Sequence, residues 1–455
     1  MATRAVNSAG ECYLHTVEVT GSNPVPPTIR SIGQRVRAAL FFLHRPDVPR
    51  FHITLDTCRA THDTGPMISR REFMQSLARL APVLGVSGLV LSEPAALRAL
   101  LDTLGGTALA WGTADELIRE APRARFWSSA PKGRVQCRLC ARECLLADGQ
   151  RGLCRSRINV GGEMRSLVYG RPVSVHVDPI EKKPFYHFLP GSQAYSIGTT
   201  GCPLRCKFCQ NWQTSQASPE DFHVRFTPPG TIVESVRSRK VPVIAYTYNE
   251  PLVFTEYLLD IAGAARLRGI RSTMVTCGYM APGALSEVCK ALDAVKVDLK
   301  GSSEGFYRDV CGGELKPVLR TIRQIAKSRV HLEIVNLVVP TLNDSDRMIA
   351  DLCDWVTGEL GPDVPLHFTR FRPDYRMPHL PPTPTATLER ARATALTRGI
   401  RYAYVGNVPG HPGNNTYCPS CGKEVIRRTQ FFVEESNVKN GKCGYCGQKI
   451  AGVFM

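Results

Sequence analysis

From about residue 190 the chain alternates short apolar runs with longer stretches of helical period. The runs Ala194–Gly198, Val241–Thr247, Arg271–Thr276, Ala294–Leu299, His331–Val339 and Pro365–Phe371 are short and mostly apolar, with Val and Ile prominent, which marks strands buried on both faces. Between them Thr231–Arg239, Leu252–Arg268, Pro282–Leu292, Leu315–Lys327 and Asp344–Glu359 repeat apolar positions every three or four residues, and Thr383–Thr397 follows in the same way. Strand and helix in strict alternation predict a parallel sheet with crossover helices, an α/β core over residues 190–408 shaped as a partial (β/α)6-type barrel. A seventh strand at Tyr402–Val408 is expected at its edge. In that architecture the loops after the strands build the active site.

The flanks follow other rules. Residues 131–177 are poor in apolar residues and punctuated by Gly149, Gly152, Gly161 and Gly162, so bound metal is a natural source of their stability. Residues 93–130 read as a linker. Pro409–Asn415 is turn-rich and leads into a small module at 414–450, in which Arg427–Glu434 reads as a strand. Residues 1–66 show no sustained period, and Gly21–Pro26 is what a tRNA T-arm gives when translated; the expectation is a spurious or disordered extension. Within 67–92, Ser69-Arg70-Arg71-Glu72-Phe73 and the apolar Leu77–Leu91 resemble a twin-arginine export signal, with Met67 placed as its initiator. Localisation stays open between cytoplasmic chemistry and export.

Composition changes this picture little: 455 residues, 43% hydrophobic and 21% charged, suit a globular protein with room for a large domain and one or two small modules. The net charge of +17 points to an anionic partner or to free use of arginine. Lys/Arg runs are short, and the last module offers only Arg427, Arg428, Phe431 and Phe432 as a nucleic-acid footprint, so nucleic acid is disfavoured as a partner.

Cysteine changes it a great deal. Of 17 cysteines, 11 fall in three tight groups: Cys137/Cys140/Cys144/Cys154, Cys202/Cys206/Cys209 and Cys418/Cys421/Cys443/Cys446. Such spacing inside a large chain reads as metal sites, not disulfides. The others (Cys12, Cys58, Cys277, Cys289, Cys311 and Cys353) read mostly as incidental thiols. The last group is two matched Cys-x2-Cys knuckles, each followed by glycine, which suits a closed zinc-ribbon-like site for Zn2+, with a second cluster as the alternative. The first group suits an auxiliary Fe-S cluster or a zinc ion, and its metal is left open.

The middle group carries the chemistry. Cys202, Cys206 and Cys209 follow the first strand in C-x3-C-x2-C spacing. Four-iron clusters normally take four thiolates; three leave one iron open to an outside ligand. With Phe208 before the last cysteine, the loop resembles the C-x3-C-x-Φ-C signature of the radical SAM superfamily. A zinc knuckle and a ferredoxin-type cluster are the alternatives. The resemblance implies a 4Fe-4S cluster whose open iron is chelated by S-adenosyl-L-methionine (SAM), reduced by one electron to give a 5′-deoxyadenosyl radical that abstracts hydrogen. It also implies roles for Phe208 at the cofactor, for Glu250 in Tyr248-Asn249-Glu250-Pro251 against the methionine amino group, and for Asp298 and Lys300 of Val297-Asp298-Leu299-Lys300-Gly301 in the cavity. Tyr248 and Asn249 stand where the superfamily usually has glycines. Asn336 and His367 are further candidates near later strand ends.

Over roughly 130–450 the chain resembles the AmmeMemoRadiSam-system proteins, relatives of the pyruvate formate-lyase activating enzymes. The likeness rests on Cys137-Arg138-Leu139-Cys140, Gly152-Leu153-Cys154-Arg155, Gly201–Asn211, Tyr246–Pro251, Val297–Gly301, Val338–Asp344 and His367–Phe371. It implies a small-molecule or protein substrate, an electron donor such as flavodoxin or ferredoxin, and Memo-like and AMMECR-like partners. The alternatives are a glycyl-radical-enzyme activase and an RNA-directed radical SAM enzyme. The extra cysteines precede the catalytic loop, whereas in activases with a ferredoxin-like insert they follow it.

Overall fold

The computed structural model describes residues 114–454; the extension and the twin-arginine-like segment lie outside them. A helix, α1 (Ala114–Glu120), is followed by β1 (Trp127–Ala130), β2 (Arg134–Cys137) and β3 (Leu145–Leu146), a small antiparallel sheet, and by the hairpin β4 (Arg157–Val160) and β5 (Glu163–Ser166). From residue 114, then, the span expected as a linker already carries a helix and a strand.

The central sheet holds eight strands: β6 (Ser174–Pro179), β7 (Gln193–Gly198), β8 (Val243–Tyr246), β9 (Arg271–Thr276), β10 (Ala294–Asp298), β11 (His331–Val338), β12 (Leu366–Arg370) and β13 (Ala403–Gly406). They pair in sequence order; β7 to β13 run parallel and β6 pairs antiparallel with β7. Seven of the eight match the expected runs within two residues at each end. The hydrophobic pattern missed β6, because Ser-Val-His-Val-Asp-Pro is an edge strand with three exposed residues in its middle. The crossovers α2 (Pro229–Ser238), α3 (Thr255–Arg266), α4 (Pro282–Ala291), α5 (Leu315–Ala326), α6 (Asp346–Leu360) and α7 (Thr385–Thr397) also lie where expected. One boundary needs correction: Leu252 does not open α3, since Pro251–Phe254 form a 3-10 turn first. In α5, Val318, Ile322 and Ile325 are buried on one stripe. Ser345 caps α6 by accepting from the Met348 amide.

The sheet curls around its own β6–β7 connection. That segment starts at one edge, yet the Tyr186 and His187 amides donate to Glu333 of β11 at 3.0 and 2.8 Å, and Tyr186 meets His367 and Tyr404 of β12 and β13 edge-on. Phe185, Phe188 and Ile180 pack on Ala194, Val243, Ala245 and Ala294, filling the end where the parallel strands begin.

The C-terminal module covers that same end. β14 (Thr416–Tyr417), β15 (Glu424–Thr429) and β16 (Phe432–Ser436) form one sheet, and β17 (Val438–Lys439) pairs with β18 (Lys442–Cys443). The run expected as one strand at Arg427–Glu434 is two, because Gln430 turns the chain at φ 59°. The tail returns beneath the barrel, where Val453 N donates to His187 O and Leu189 N to Val453 O, both at 2.7 Å.

Candidate active site at the C-terminal end of the sheet

The loop carrying Cys202, Cys206 and Cys209 leaves the C-terminal end of β7. It is pinned from both sides. Asn249 donates to Gly201 O at 3.0 Å and to Thr199 Oγ1 at 3.2 Å, while the Thr199 amide donates back to Asn249 Oδ1 at 3.2 Å. Arg205 N and Lys207 N donate to Cys311 O and Val310 O at 2.8 and 2.9 Å. Asn249, read from sequence only as a substituted glycine, is therefore a clamp on the cysteine loop. Tyr248 holds the left-handed backbone that the other glycine would favour, at φ 73°; its hydroxyl donates to Asp178 Oδ2 at 3.0 Å.

The sulfurs suit a cluster. Cys206 is buried and Cys202 and Cys209 are partly open. The Leu204 amide donates to Cys202 Sγ at 3.4 Å and Cys209 Sγ lies 3.2 Å from Ser215 Oγ. A hydrogen bond from Cys311 and the nearby Lys300 ammonium hold the Cys206 thiol down to about 7 despite burial. Cys277 likewise hydrogen-bonds toward Cys202. These two cysteines, taken as incidental from sequence, abut the catalytic thiols. Alternation along β9 aims Cys277 inward with Thr273 and Val275, a signal the sequence already held.

Glu250 is fully buried and well supplied with donors. Oε1 accepts from Leu252 N (3.1 Å) and Thr276 Oγ1 (2.7 Å), and Oε2 from Cys277 N (2.7 Å), so it ties the loop after β8 to the end of β9. Burial pushes its carboxyl up, against those donors.

Asp298 and Lys300 do share a face, and Lys296 joins them. Lys300 Nζ lies 3.4 Å from Asp298 Oδ2, and Lys296 Nζ bonds Asp298 Oδ1. Burial opposes the Asp298 charge, yet Lys296 and Lys300 outweigh it and hold the carboxyl low. Lys300 also stands 5.5 Å from the centre of the Phe208 ring, which stacks on Phe306 at 6.2 Å. Below them Lys183 bonds Asp178 at 2.5 Å, and burial lowers it to about 8. Sequence reasoning missed Lys183, Asp178 and Lys296; only Lys296, a charge interrupting the apolar run Ala294–Leu299, left a signal.

Two candidates fall away from this cavity. His367 sits near the start of β12, not its end, and its Nε2 is 2.7 Å from Glu333 Oε2 in the floor. Asn336 alternates with Ile334 and Val338 toward the helices and donates to Leu299 O at 2.8 Å.

The last cysteine group also assembles. Cys418 and Cys446 sulfurs are 3.6 Å apart, Cys421 and Cys443 3.8 Å, and all four lie within 4.8 Å of one another. Tetrahedral zinc with bonds of about 2.3 Å separates its sulfurs by about 3.8 Å. In the first group Arg157 Nη1 donates to Cys137 Sγ at 3.8 Å, and a Cβ at Gly152 would stand 3.6 Å from Cys154 Sγ and 3.9 Å from Cys144 Sγ.

Residues 196–353, from β7 to α6, match the model of the radical SAM superfamily. A protein of Methanocaldococcus jannaschii, itself uncharacterized, is 42% identical over 331 residues, covering 72% of this chain and 98% of its own length. The chain belongs to the radical SAM superfamily. A pyruvate formate-lyase-activating enzyme of Clostridium pasteurianum is 26% identical over 163 residues, 34% of this chain and 65% of that enzyme. A solved domain of such an enzyme from Bacteroides vulgatus aligns with a TM-score of 0.33 at 16% identity, covering 36% of this chain and 98% of that one. This radical SAM chain is thus an enzyme related to the activating enzymes, and the family implies a 4Fe-4S cluster and SAM.

Proposed function

We propose that this radical SAM enzyme holds its cluster on Cys202, Cys206 and Cys209 and abstracts hydrogen from a small-molecule or protein substrate. The observation that carries this reading is the three-thiol loop at the end of β7, clamped by Asn249 and faced by the Lys300 ammonium. When bound, the cluster and SAM supply a 5′-deoxyadenosyl radical. The chain's own residues do the rest. Glu250 offers a carboxylate beside Cys277 for the SAM ammonium, and its three donors fix where that carboxylate points. Phe208, stacked between Phe306 and Lys300, walls the cluster side. Asp298 keeps Lys296 and Lys300 charged and placed beneath it. Zn2+ in the Cys418–Cys446 site closes the opposite end of the barrel.

Anaerobic reconstitution with SAM and dithionite is the test. The expected result is a four-iron EPR signal that shifts on adding SAM, with release of 5′-deoxyadenosine. The triple variant C202A/C206A/C209A is expected to lose the SAM-shifted signal and the nucleoside together; nucleoside formed by that variant would sink the assignment.

The relatives favour a second reading, a glycyl-radical-enzyme activase working on a partner enzyme. A glycyl EPR doublet on a co-expressed partner would select it. A Memo-like and AMMECR-like context belongs to the first reading, with a flavodoxin or ferredoxin as donor.

A further inference from the structure

We propose that Cys137, Cys140, Cys144 and Cys154 hold a second four-iron cluster, set against the catalytic loop as the place where the electron comes in. This goes beyond the radical SAM reading and stands or falls separately from it.

The four cysteines lie in one short stretch of the chain. Gly152 lies between two of them: a Cβ there would stand 3.6 Å from Cys154 Sγ and 3.9 Å from Cys144 Sγ. The Cys137 amide donates to Cys144 O at 2.9 Å, so these two cysteines are neighbours as well. The four thiols of the C-terminal module lie within 4.8 Å of one another. One zinc ion draws four sulfurs to about 3.8 Å. A cubane carries each thiolate on a different iron and spreads them wider. The ribbon has the spacing of one ion; what sets the first module apart is its contact with the catalytic loop.

Its charge environment agrees. Four thiolates on a buried site need a cation, and Arg157 Nη1 donates to Cys137 Sγ at 3.8 Å from a side chain that is almost fully buried. A hydrogen bond from a fixed cation to a cluster thiolate stabilises the reduced, more negative state.

Position supplies the role. The module presses directly on the catalytic loop. Ser156 Oγ donates to Thr200 O at 3.0 Å, Arg142 Nε to Pro203 O at 2.9 Å, and Arg205 to Leu153 O. Gly201 turns at φ 96°, and any side chain there would run into the Cys154 carbonyl and Ser156 Oγ. The residue before Cys202 thus touches the backbone of Cys154. Holding zinc to brace the loop is the alternative use of the module, and metal content separates the two. The step is a transfer of one electron: a low-potential donor of the flavodoxin or ferredoxin class is oxidised by one electron, and the module's cluster is reduced by one and hands it on to the loop.

The experiment uses the full chain, reconstituted anaerobically, as wild type and as C202A/C206A/C209A. The expected metal content is about eight iron and one zinc in the wild type, and about four iron and one zinc in the variant, from one cluster per module. The variant keeps a four-iron EPR signal that SAM does not move. Two zinc ions per wild-type chain, or an iron-free triple variant that is still folded by circular dichroism, would overturn the proposal even if the wild type cleaves SAM. Four iron in the triple variant supports it even if the wild type forms no deoxyadenosine. A second variant, C144S/C154S, tests the relay: SAM cleavage driven by a reduced flavodoxin is expected to fall by about tenfold or more while dithionite-driven cleavage stays near wild type. Equal loss with both reductants, or none with either, removes the relay role.

Discussion

The two four-cysteine modules sit at opposite ends of one barrel and are built on the same plan up to a point. Each leans on the core through a single buried arginine paired with a buried carboxylate: Arg157 with Glu256 at the catalytic end, Arg428 with Glu181 at the floor. The difference lies in what else the arginine touches. Arg428 spends its donors on Asn414 O, Thr416 Oγ1 and Tyr186 O, all structural, and its sulfurs stand at single-ion spacing. Arg157 reaches a sulfur, and its module meets the catalytic loop. A metal at the floor can only staple; a metal at the catalytic end is positioned to exchange charge with the loop it touches. Cysteine count alone would have made the two modules equivalent.

The largest expected effect comes from the staple. Cys443 is buried among the residues that join the module to Tyr402 and Tyr404. Cys443→Ala is expected to lower stability by several kcal/mol, as loss of a structural zinc ligand does, and Tm by about 10 °C, without changing the iron content. An unchanged melting curve, read by differential scanning calorimetry on the reconstituted chain, would break the comparison at its firmer end.

The arginines sharpen it further. Arg428→Met and Arg157→Met each strand a buried carboxylate, at a cost of about 3–5 kcal/mol. Stability should therefore fall alike. Redox behaviour should not. Arg157→Met removes the donor at Cys137 and is expected to lower the potential of the SAM-insensitive iron signal, while Arg428→Met leaves every iron signal where it was. Potentiometric EPR titration decides between them, and equal potentials in both variants would mean that Arg157 is as structural as Arg428.

A smaller effect is expected at the seam. Gly201→Ala demands a left-handed backbone from alanine and pushes it into Cys154 O and Ser156 Oγ. About 1–3 kcal/mol of strain is expected there. Iron content should hold, and flavodoxin-driven SAM cleavage should fall more than dithionite-driven cleavage. A variant with wild-type rates under both reductants would show that the module does not press on the loop in solution.

Much of this was legible in the chain. Seven strands and their helices followed from period alone, since strands such as Val243–Tyr246 are buried along their whole length and read as apolar runs. The loop at the end of β7 stood out by its three cysteines, Cys202, Cys206 and Cys209. What escaped was of two kinds. Edge elements escaped because partial exposure erases the pattern, as in β6. Long-range partners escaped because sequence does not say who faces whom: Cys277 and Cys311 looked like stray thiols, Asn249 like a degraded glycine, and Lys183 went unread because the β6–β7 segment carries no pattern that places it inside the sheet. His367 shows the converse error, since a polar residue in a strand reads the same at either end, and only register places it in the floor beside Glu333.

The floor also distinguishes itself by pH. His187 Nδ1 lies 2.5 Å from the Ala451 carbonyl, which can only accept, so Nδ1 carries the proton and Nε2 accepts from the Tyr404 hydroxyl at 2.5 Å. That hydroxyl is also 2.9 Å from Thr416 Oγ1, at the first strand of the module. A second proton on His187 would break this chain, and burial holds the imidazole down to about 3. In the unfolded chain a histidine takes that proton near its ordinary value of about 6.5. Between those two values the unfolded state binds more protons than the folded one, so stability falls as pH falls, by about 1.4 kcal/mol per pH unit for this residue. Lowering the pH from 6.5 to 5 is therefore expected to destabilise the floor, and His187→Gln, which cannot take the proton, to flatten that part of the profile. Because the module at the catalytic end shares none of these contacts, the SAM-insensitive iron signal should persist across the same range. If it decayed in step with the melting temperature, the two ends would unfold as one unit and the contrast between staple and relay would be confined to their metals.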